Sequence, residues 1–433
     1  MDLLALFLDS NGVSTDTRTL SEGQLYFALK GPNFDGNRYA EAALAAGAKA
    51  AVVDDASLTG LGNVVVVADV LSALQQLARA YRDTWTCPVI ALTGSNGKTT
   101  TKELTVACLQ REYEVGYTRG NLNNHIGVPL TLLRTPASVD VVVVEMGANH
   151  RGEIAALCEI AAPTHGYITN IGTAHLEGFG GVEGIRQGKG ELFDFLAAND
   201  RHAFVDVADA ETNALAARVA QRLTYASGAE RGLSQRLLLE GTLDAEFPAV
   251  TCTLTDGQRT VRVASRLPGV HNYRNICAAA VVAHYFKVDL EEVAAAIREY
   301  SPSNARSEVR TLDRAAVLCD YYNANPDSMR VALRWLANRP ESRKLAVLGE
   351  MAELGDYAPE AHASVLAQAE RLDGVRVVAF GRAYAKTGSG TVAHVGDIGE
   401  LRGLVAEFAR EPDGVVLLKG SRSSRLERVL AKA

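Results

Sequence analysis

VIALTGSNGKTTTKE, residues 89–103, is the stretch that decides the fold, because it joins an apolar run to a helical segment through a glycine-containing loop. In such a loop, backbone N–H groups and the N-terminus of the following helix cradle phosphate oxygens. Lys98 can neutralise phosphate charge, and the Thr99 hydroxyl can bind magnesium. Two residues separate Gly94 from Gly97, fewer than in the common P-loop pattern, but the same interactions are available. The stretch predicts a strand, a phosphate loop and a helix that bind a nucleoside triphosphate.

Apolar strand-like runs alternate with helical segments on both sides of this loop. Near-continuous valine and isoleucine runs, such as VDVVVVEMG at 139–147, predict a mostly parallel sheet with helices on both faces. Residues 236–265 alternate in polarity and predict an antiparallel extension of that sheet. A third series of strands and helices begins near Pro302 and predicts a doubly wound sheet, whose ligands lie beyond the carboxyl ends of its strands.

The 433-residue length exceeds what one hydrophobic core usually organises, so the chain is expected to form three α/β domains. We place them at residues 1–85, 86–301 and 302–433. The first has short strands and one Ala-rich helix ending at Gly47, which is typical of a small binding domain. The apolar start, MDLLALFLDS, is too short for a signal or membrane helix and predicts a short buried helix.

Composition excludes several classes of partner. A net charge of -7 argues against broad electrostatic binding to nucleic acid or anionic lipid, which needs a concentrated basic surface. Six cysteines without a CxxC pair, mostly in apolar surroundings, indicate reduced, buried thiols. We therefore expect a cytoplasmic protein that neither binds nucleic acid nor inserts into a membrane.

Polar side chains also follow other strand-like runs. Glu145 ends the run at 141–144, and His175 lies in the loop after a later strand. Alone, a glutamate at a strand end is more often a helix cap or a solvated charge, and a single histidine carries little information. Together with Thr99 they are three candidate ligands at three strand ends, which favours a metal site beside the phosphate. Lys189, on a helical segment, reads by itself as an ordinary surface charge.

Several motifs resemble the Mur ligases, which use ATP to join amino acids or peptides to a nucleotide-linked muramic acid. The shared motifs of the central segment are TGSNGKTTTKE (93–103), NIGTAHLEGFG (170–180), KGELF (189–193) and HNYRNICAAA (271–280). More selective motifs resemble the branch of the family that adds D-alanyl-D-alanine to UDP-N-acetylmuramoyl-tripeptide. They are GNLNNHIGVPLTLL (120–133), VVEMGANHRGEI (143–154), DYYNANPDSM (320–329), LGEMAELG (348–355) and LLKGSR (417–422), with STDTR and FALKGPNFDGNRY near the start.

The resemblance implies a fold and a reaction. It implies an N-terminal nucleotide-sugar-binding domain, a central P-loop ATPase domain and a Rossmann-like C-terminal ligase domain. The expected enzyme is a cytoplasmic monomer of peptidoglycan precursor synthesis that forms the amide bond through an acyl phosphate. ATP and two magnesium ions are the expected cofactors, and the C-terminal domain is expected to close onto the P-loop.

The resemblance also implies roles for individual residues. Those expected at ATP are Gly94, Ser95, Asn96, Gly97, Lys98, Thr99, Thr100, Asn272, Asn275, Arg306 and Asp320. Those expected at the muramoyl and dipeptide substrates are Thr17, Arg18, Lys30, Asp35, Asn123, Asn124, Asn149, His150, Asn323 and Asn325. Those with an implied catalytic role are Lys98, Glu145, His175 and Lys189. The implied metal ligands are Thr99, Glu145, His175 and Lys189. Lys189 would act as a carbamate, which replaces a cation with an anion.

The sequence departs from the family pattern at two positions. Ala305 stands where a glycine commonly precedes the arginine placed at Arg306, and Cys319 precedes Asp320 where a second acidic residue is frequent. Two alternatives remain at this point: another Mur-type or folylpolyglutamate-type ligase, and a non-catalytic nucleotide-binding protein with the Mur fold. YNANPDSM and the N-terminal motifs disfavour the first, and the joint presence of the catalytic set disfavours the second.

Overall fold

The computed structural model describes residues 2–228, 237–302, 306–385 and 392–431. Its helices are α1 (Leu3–Leu8), α2 (Ala40–Ala45), α3 (Val70–Arg82), α4 (Lys98–Leu109), α5 (Gly127–Arg134), α6 (Glu153–Ala161), α7 (Leu176–Phe179), α8 (Val182–Ala198), α9 (Ala210–Ala216), α10 (Val270–Tyr285), α11 (Leu290–Glu299), α12 (Pro326–Ala337), α13 (Ala358–Glu370) and α14 (Ile398–Arg410). Its strands are β1 (Val13–Ser14), β2 (Leu25–Phe27), β3 (Lys30–Gly31), β4 (Phe34–Asp35), β5 (Ala50–Val53), β6 (Val64–Val66), β7 (Val89–Thr93), β8 (Val115–Tyr117), β9 (Val141–Glu145), β10 (His165–Ile168), β11 (His202–Asp206), β12 (Gln221–Tyr225), β13 (Glu240–Ala245), β14 (Thr251–Thr255), β15 (Thr260–Ala264), β16 (Glu308–Leu312), β17 (Ala315–Asp320), β18 (Arg343–Gly349), β19 (Val375–Phe380), β20 (Ala393–Val395) and β21 (Gly414–Lys419).

The N-terminal unit, α1 to α3, contains a parallel sheet in the order β1-β2-β5-β6 and a small β3/β4 hairpin. Asp2 caps α1 by accepting the Leu4 N–H at 2.9 Å. Only Phe7 of α1 is fully buried and Leu8 is 61% exposed, so the expectation of a buried helix is wrong for most of its length. The chain start packs one apolar edge on the core rather than entering it.

Helix α3 joins the N-terminal unit to the central one. It packs against α5 and α6, and its apolar residues share one continuous core with both units. The buried Arg82 at its end donates to the carbonyl oxygens of Ala161 and Ala162, both at 3.0 Å. These carbonyls end α6 and lack partners within the helix, so the arginine satisfies them. The two units are therefore connected by both apolar packing and hydrogen bonds.

The central unit, β7 to α11, is built on a parallel sheet in the order β12-β11-β10-β7-β9-β8. Alternate residues of β7 face opposite cores: Ile90 and Leu92 pack with α4, α10 and α11, while Val89 and Ala91 pack with α5, α6 and α8. This confirms the predicted sheet with helices on both faces. Because β10, β7 and β9 are neighbours, the loops that follow them meet at one edge of the sheet.

The predicted antiparallel strands form a sheet of their own, in the order β13-β14-β15, packed beside α10 and α11. A single parallel bridge between Ala226 and Glu240 connects it to the end of β12. The expected extension of the parallel sheet is thus a separate layer that completes the core under α10.

The C-terminal unit, β16 to the end of the chain, has a sheet in the order β16-β17-β21-β18-β19-β20. All neighbours are parallel except β16 and β17. Helices α12 and α13 cover one face and α14 covers the other, which confirms the doubly wound arrangement. Cys319 lies fully buried among the apolar residues of the α14 face. Ala305 lies outside the described residues.

The six cysteines are free, and all are buried except Cys87, which is partly exposed. Among the helices of the described ranges, none has the length and apolar character needed to cross a membrane.

Candidate active site

The loop after β7 is held in place by contacts with two other segments of the central unit. The Ser95 N–H donates to Asn170 O at 3.0 Å, and the Asn96 N–H donates to Asn170 Oδ1 at 3.1 Å. Gly97 has φ +80°, and a Cβ there would lie 2.5 Å from Asn275 Oδ1 on α10. Only glycine fits this backbone and this close approach. The loop is therefore preorganised between the β10 loop and α10.

Lys98 begins α4 and folds back over the loop. Its Nζ donates to Gly94 O at 2.7 Å and to Ser95 O at 3.3 Å. Burial lowers the pKa of Lys98 to about 8, partly opposed by the negative charges of Glu145 and Glu353. An ammonium group held only by carbonyl oxygens in a desolvated place is suited to receive an anionic ligand.

Glu145, at the end of β9, is 1% exposed and lies directly beside the loop. Its Oε1 accepts from Thr99 Oγ1 at 3.2 Å and from Asn123 Nδ2 at 2.8 Å. Its Oε2 is buried without a hydrogen-bond partner among the described residues. A buried carboxylate oxygen with a free acceptor site, next to a hydroxyl, is the donor chemistry that magnesium prefers. The predicted Thr99 and Glu145 pair is thus brought together and fits a magnesium ion.

Lys102 is a neighbour of Glu145 that sequence reasoning missed. It lies three residues after Thr99 on α4, is 0% exposed, and its Nζ is 3.9 Å from Glu145 Oε2. The same Nζ donates to Thr118 O at 2.7 Å and pairs with Glu103 Oε1 at 2.8 Å. The motif TTTKE contains the pattern that could have identified Lys102, because a lysine three residues after Thr99 lies on the same face of the helix as Thr99.

Lys189, on α8, is fully buried rather than a surface charge. Its Nζ donates to Ala148 O at 3.0 Å and lies 4.9 Å from the centre of the Phe179 ring. Burial, reinforced by the positive charge of Lys98, holds the pKa of Lys189 well below its usual range. The neutral amine that this favours is the form that can react as a nucleophile.

Phe179 reaches Lys189 because α8 carries glycines where α7 crosses it. A Cβ on Gly184 would lie 1.8 Å from Phe179 O, and one on Gly188 would lie 2.4 Å from Phe179 Cε1. The two glycines, four residues apart on one face of α8, form a notch: Gly184 leaves room for the Phe179 backbone and Gly188 for its ring. The Phe179 ring that lies in this notch covers the amine of Lys189.

His175 occupies the N-cap position of α7 with φ +62°, and its Nδ1 contacts the Glu353 carboxylate of the C-terminal unit. Two residues earlier, Thr173 contacts Asp327 of the same unit. The described residues contain no group of three or more His, Cys, Asp or Glu side chains arranged to hold a metal. A metal at this site would therefore depend on Thr99 and on groups such as phosphate oxygens in addition to Glu145.

The residues predicted on the adenine side lie close together. Asn275 Nδ2 donates to Asn272 Oδ1 at 3.1 Å, and Thr101 Oγ1 donates to Asn275 Oδ1 at 3.1 Å. In the C-terminal unit, the Arg306 guanidinium lies 3.8 Å from the centre of the Tyr322 ring. Asp320, at the end of β17, lies beside this segment, since its Oδ1 accepts the Ser307 N–H at 3.2 Å.

Asp320 belongs to a second buried ion pair, which the sequence did not predict. Lys419, 2% exposed, places Nζ 2.8 Å from Asp320 Oδ2 and donates to Asn323 O at 2.9 Å. Asn325 caps α12 by accepting the Ser328 N–H at 2.9 Å, and its Nδ2 donates to Asn96 Oδ1 at 2.7 Å. The YNANPDSM segment therefore touches the phosphate loop directly.

The residues predicted for the muramoyl substrate are distributed over two units. In the N-terminal unit, Arg18 pairs with Asp16, Lys30 pairs with Asp54 at 2.8 Å, Asp35 accepts from Asn37, and Thr17 is partly exposed. In the central unit, Asn124 Oδ1 accepts the Gly127 N–H at 2.8 Å at the start of α5, and Asn149 and His150 approach Glu153. Asp35 and Asn124 thus have local contacts with the backbone that a fold without any substrate would also use.

Three family models match the chain. "Mur ligase family, catalytic domain" matches residues 9–82, "Mur ligase middle domain" matches 92–283, and "Mur ligase, glutamate ligase domain" matches 305–422. The UDP-N-acetylmuramoyl-tripeptide--D-alanyl-D-alanine ligase of Synechocystis sp. is 39% identical over 85% of this chain and 79% of its own length. The enzyme of that name from Escherichia coli is 36% identical over 97% of this chain and 93% of its own length.

Solved structures give the same picture. A structure of MurF from Acinetobacter baumannii superposes with a TM-score of 0.87 at 29% identity, covering 98% of this chain and 96% of that one. A structure of MurF ligase from Thermotoga maritima in complex with ADP superposes with a TM-score of 0.85 at 27% identity, covering 99% and 97%.

Proposed function

The chain belongs to the Mur ligase family, and from this premise we infer that it joins D-alanyl-D-alanine to UDP-N-acetylmuramoyl-tripeptide with ATP as the energy source. The products are UDP-N-acetylmuramoyl-pentapeptide, ADP and phosphate. The observation that carries this inference is the meeting of two motifs. Asn325 lies in the segment typical of the D-alanyl-D-alanine-adding branch. Its Nδ2 is 2.7 Å from Oδ1 of Asn96, in the loop after β7 (residues 94–97), which we call the ATP loop. The acceptor side and the energy source therefore share one site.

The reaction needs activation of a carboxylate, which is otherwise a poor electrophile. An oxygen of the tripeptide carboxylate attacks the γ-phosphorus of ATP, and the bond to the bridging oxygen breaks, which gives an acyl phosphate and ADP. The amine of D-alanyl-D-alanine then attacks the acyl carbon, loses a proton and expels phosphate. Phosphoryl transfer of this kind depends on positioning and charge stabilisation more than on covalent help from the protein.

Lys98 supplies positive charge at the transferring phosphoryl group. Its Nζ is held by Gly94 O and Ser95 O in the absence of an anion, so it can turn to a phosphate oxygen without unfolding the loop. A phosphate anion raises the pKa of Lys98 from about 8, because the opposite charge favours the ammonium form. Lys98 thus contributes most while the γ-phosphoryl group is in transit.

Thr99 and Glu145 would hold magnesium, with His175 as a ligand of a second ion. Bound magnesium would neutralise the negative charge that develops on the phosphate oxygens. The free Oε2 of Glu145 is the observation that supports this set. Lys102 keeps a positive charge 3.9 Å from that oxygen and so balances the buried carboxylate.

Lys189 would act as a carbamate. Carbon dioxide adds to a neutral amine, and burial of Lys189 under Phe179 lowers its pKa in the direction that supplies this form. The added carboxylate replaces a cation by an anion near Lys98. Labelled bicarbonate should then give a carbamate carbon signal in the NMR spectrum that is absent from Lys189→Met.

The roles of the other predicted site residues are inferred from the resemblance to the family. Asn272, Asn275, Arg306 and Asp320 would contact adenosine and phosphate, and the N-terminal unit with Asn123, Asn149 and His150 would take the nucleotide sugar. We also propose domain boundaries at 85/86 and 301/302, a monomer, and a cytoplasmic location in peptidoglycan precursor synthesis.

One assay tests the function. The protein is incubated with ATP, magnesium, D-alanyl-D-alanine and UDP-N-acetylmuramoyl-tripeptide ending in lysine or in diaminopimelate, and phosphate release and product mass are measured. Pentapeptide formation is expected. Parallel reactions with D-alanine or L-glutamate as the amine test the related ligases, and product in those reactions alone would overturn the proposal. Lys98→Ala should abolish turnover while leaving the circular dichroism spectrum unchanged.

A further inference from the structure

The loop between β10 and α7, residues 169–175, is held by two different parts of the molecule. At its start, Thr169 Oγ1 and Asn170 Nδ2 donate to Asn96 O at 2.6 and 3.0 Å. Further on, the N–H and the hydroxyl of Thr173 both donate to Asp327 Oδ2, at 3.0 and 2.8 Å. The first half of the 169–175 loop is therefore hydrogen-bonded to the ATP loop, and its second half is hydrogen-bonded to the C-terminal unit.

Asp327 is well placed for this contact. It lies in the first turn of α12, where the helix dipole favours a negative charge. Arg330 donates to its other oxygen at 2.6 Å, so each carboxylate oxygen has a partner. A Cβ on Gly172 would lie 3.0 Å from Asp327 Oδ2 and 3.3 Å from Ser95 Cβ. A glycine at this position lets the loop pass between the ATP loop and α12.

The contact continues on both sides of Asp327. Asn325, two residues earlier, donates to Asn96 Oδ1 at 2.7 Å. Glu353, from the loop after β18, pairs with the His175 side chain, and its carbonyl oxygen accepts the Glu177 N–H at 3.5 Å. Three side chains of the C-terminal unit thus contact the ATP loop and the loop that carries His175.

His175 needs an external constraint. Its φ of +62° lies in the left-handed region, which a residue with a side chain occupies at a cost. Such a conformation persists when surrounding contacts over-determine it. The two hydrogen bonds of Thr173 to Asp327 and the contact of Glu353 with the His175 ring act directly on this segment.

We propose that Asp327, in the C-terminal unit, is a positioning residue that sets the His175 loop by accepting both donors of Thr173. The C-terminal unit then completes the metal side of the ATP site, in addition to bringing the dipeptide to it. This inference rests on the proposed function, since the loop has this role only if His175 serves the ATP site. Its test therefore includes a structural measurement that needs no turnover.

The structural measurement is hydrogen–deuterium exchange of peptides covering residues 170–180 in the full-length, nucleotide-free protein. Asp327→Ala should speed exchange there by about tenfold, because a hydrogen bond to a charged group is worth roughly that factor. Thr173→Val, which removes only the hydroxyl, should give a smaller increase, and Thr173→Ser should restore the original rate. Glu360→Ala is the matched control, since Glu360 is an exposed acid in the first turn of α13 in the same unit.

The kinetic measurement separates positioning from general stability. Asp327→Ala should lower kcat about tenfold while leaving KM for the nucleotide-sugar substrate unchanged, because the N-terminal and central units bind that substrate. Glu360→Ala should change neither value. Unaltered exchange at 170–180 in Asp327→Ala, or an equal change in Glu360→Ala, would overturn the inference. If the wild-type protein forms no pentapeptide, the proposed function fails, whereas the exchange result still decides whether Asp327 holds the loop.

Discussion

Replacement of Lys102 by methionine tests the electrostatics of the site most directly. Methionine keeps most of the length of the side chain and removes the charge, which leaves the buried Glu145 carboxylate without the cation 3.9 Å away. Coulomb's law gives about 4 kcal/mol for unit charges at that separation with an effective dielectric constant of about 20. Thr118 O also loses its 2.7 Å donor. Removal of one partner of a buried pair is strongly destabilising, by about 3–5 kcal/mol.

We therefore expect Lys102→Met to lower the free energy of unfolding of the magnesium-free protein by about 3 kcal/mol. The chain has two tryptophans, and Trp335→Phe leaves Trp85 as the reporter at the border of the N-terminal and central units. Urea unfolding followed by Trp85 fluorescence in this background gives the value. Glu103→Gln removes the partly exposed partner of the same ammonium group and should cost less than about 1 kcal/mol. If Lys102→Met costs no more than that control, Lys102 does not balance Glu145.

Other predictions concern the ATP loop and the unit boundary. Gly97→Ala should weaken ADP binding in calorimetric titration by at least about tenfold, because the left-handed backbone costs about 1–2 kcal/mol for alanine and its Cβ meets Asn275. The control variant Gly60→Ala, at a position where a Cβ meets no other atom, should leave ADP affinity unchanged. Nucleotide affinity should fall as pH rises above about 8, by at most about tenfold per pH unit, because the bound phosphate requires the protonated form of Lys98. The Lys98→Met variant should bind nucleotide weakly and without this pH dependence. If the variant keeps the pH dependence of the original protein, Lys98 does not contact the phosphate. Arg82→Met should lower the calorimetric transition temperature, because the free energy of unfolding falls by about 2–4 kcal/mol when the carbonyls at the end of α6 lose their buried donor. An unchanged transition temperature would mean that the apolar packing of α3 alone joins the N-terminal and central units.

The central sheet could be predicted because its strands are buried on both faces. β7 and β9 are near-continuous apolar runs, β10 (HGYI) is buried along its whole length, and the loops that follow the three strands carry the polar residues of the site. Edge strands give a weaker signal: β16 is mostly exposed, and its sequence EVRTL has little apolar character. The antiparallel strands were recognised by their alternation, but alternation within one segment does not show which neighbour that segment pairs with.

The buried charges show where sequence reasoning stops. Lys189 reads as a surface lysine because burial depends on the Gly184 and Gly188 notch and on the ring that fills it. Pairs such as Asp320 with Lys419 and Thr173 with Asp327 join residues far apart in the chain. A single sequence contains the residue types but not their contacts. The loop pattern and the strand ends indicate Lys98, Thr99 and Glu145, whereas a role for Lys189 is implied only by the resemblance to a family.

The notch over Lys189 has a consequence for chemical labelling. The amine is 0% exposed and is covered by Phe179, which Gly184 and Gly188 hold in place without spare room. Carbon dioxide is a three-atom linear molecule, whereas acylating reagents are several times larger. Amine-reactive probes will therefore modify Lys98 and spare Lys189, although burial lowers the pKa of both amines. The cover by Phe179 therefore limits which reagents reach Lys189, and its proposed carbamylation is tested by spectroscopy rather than by labelling.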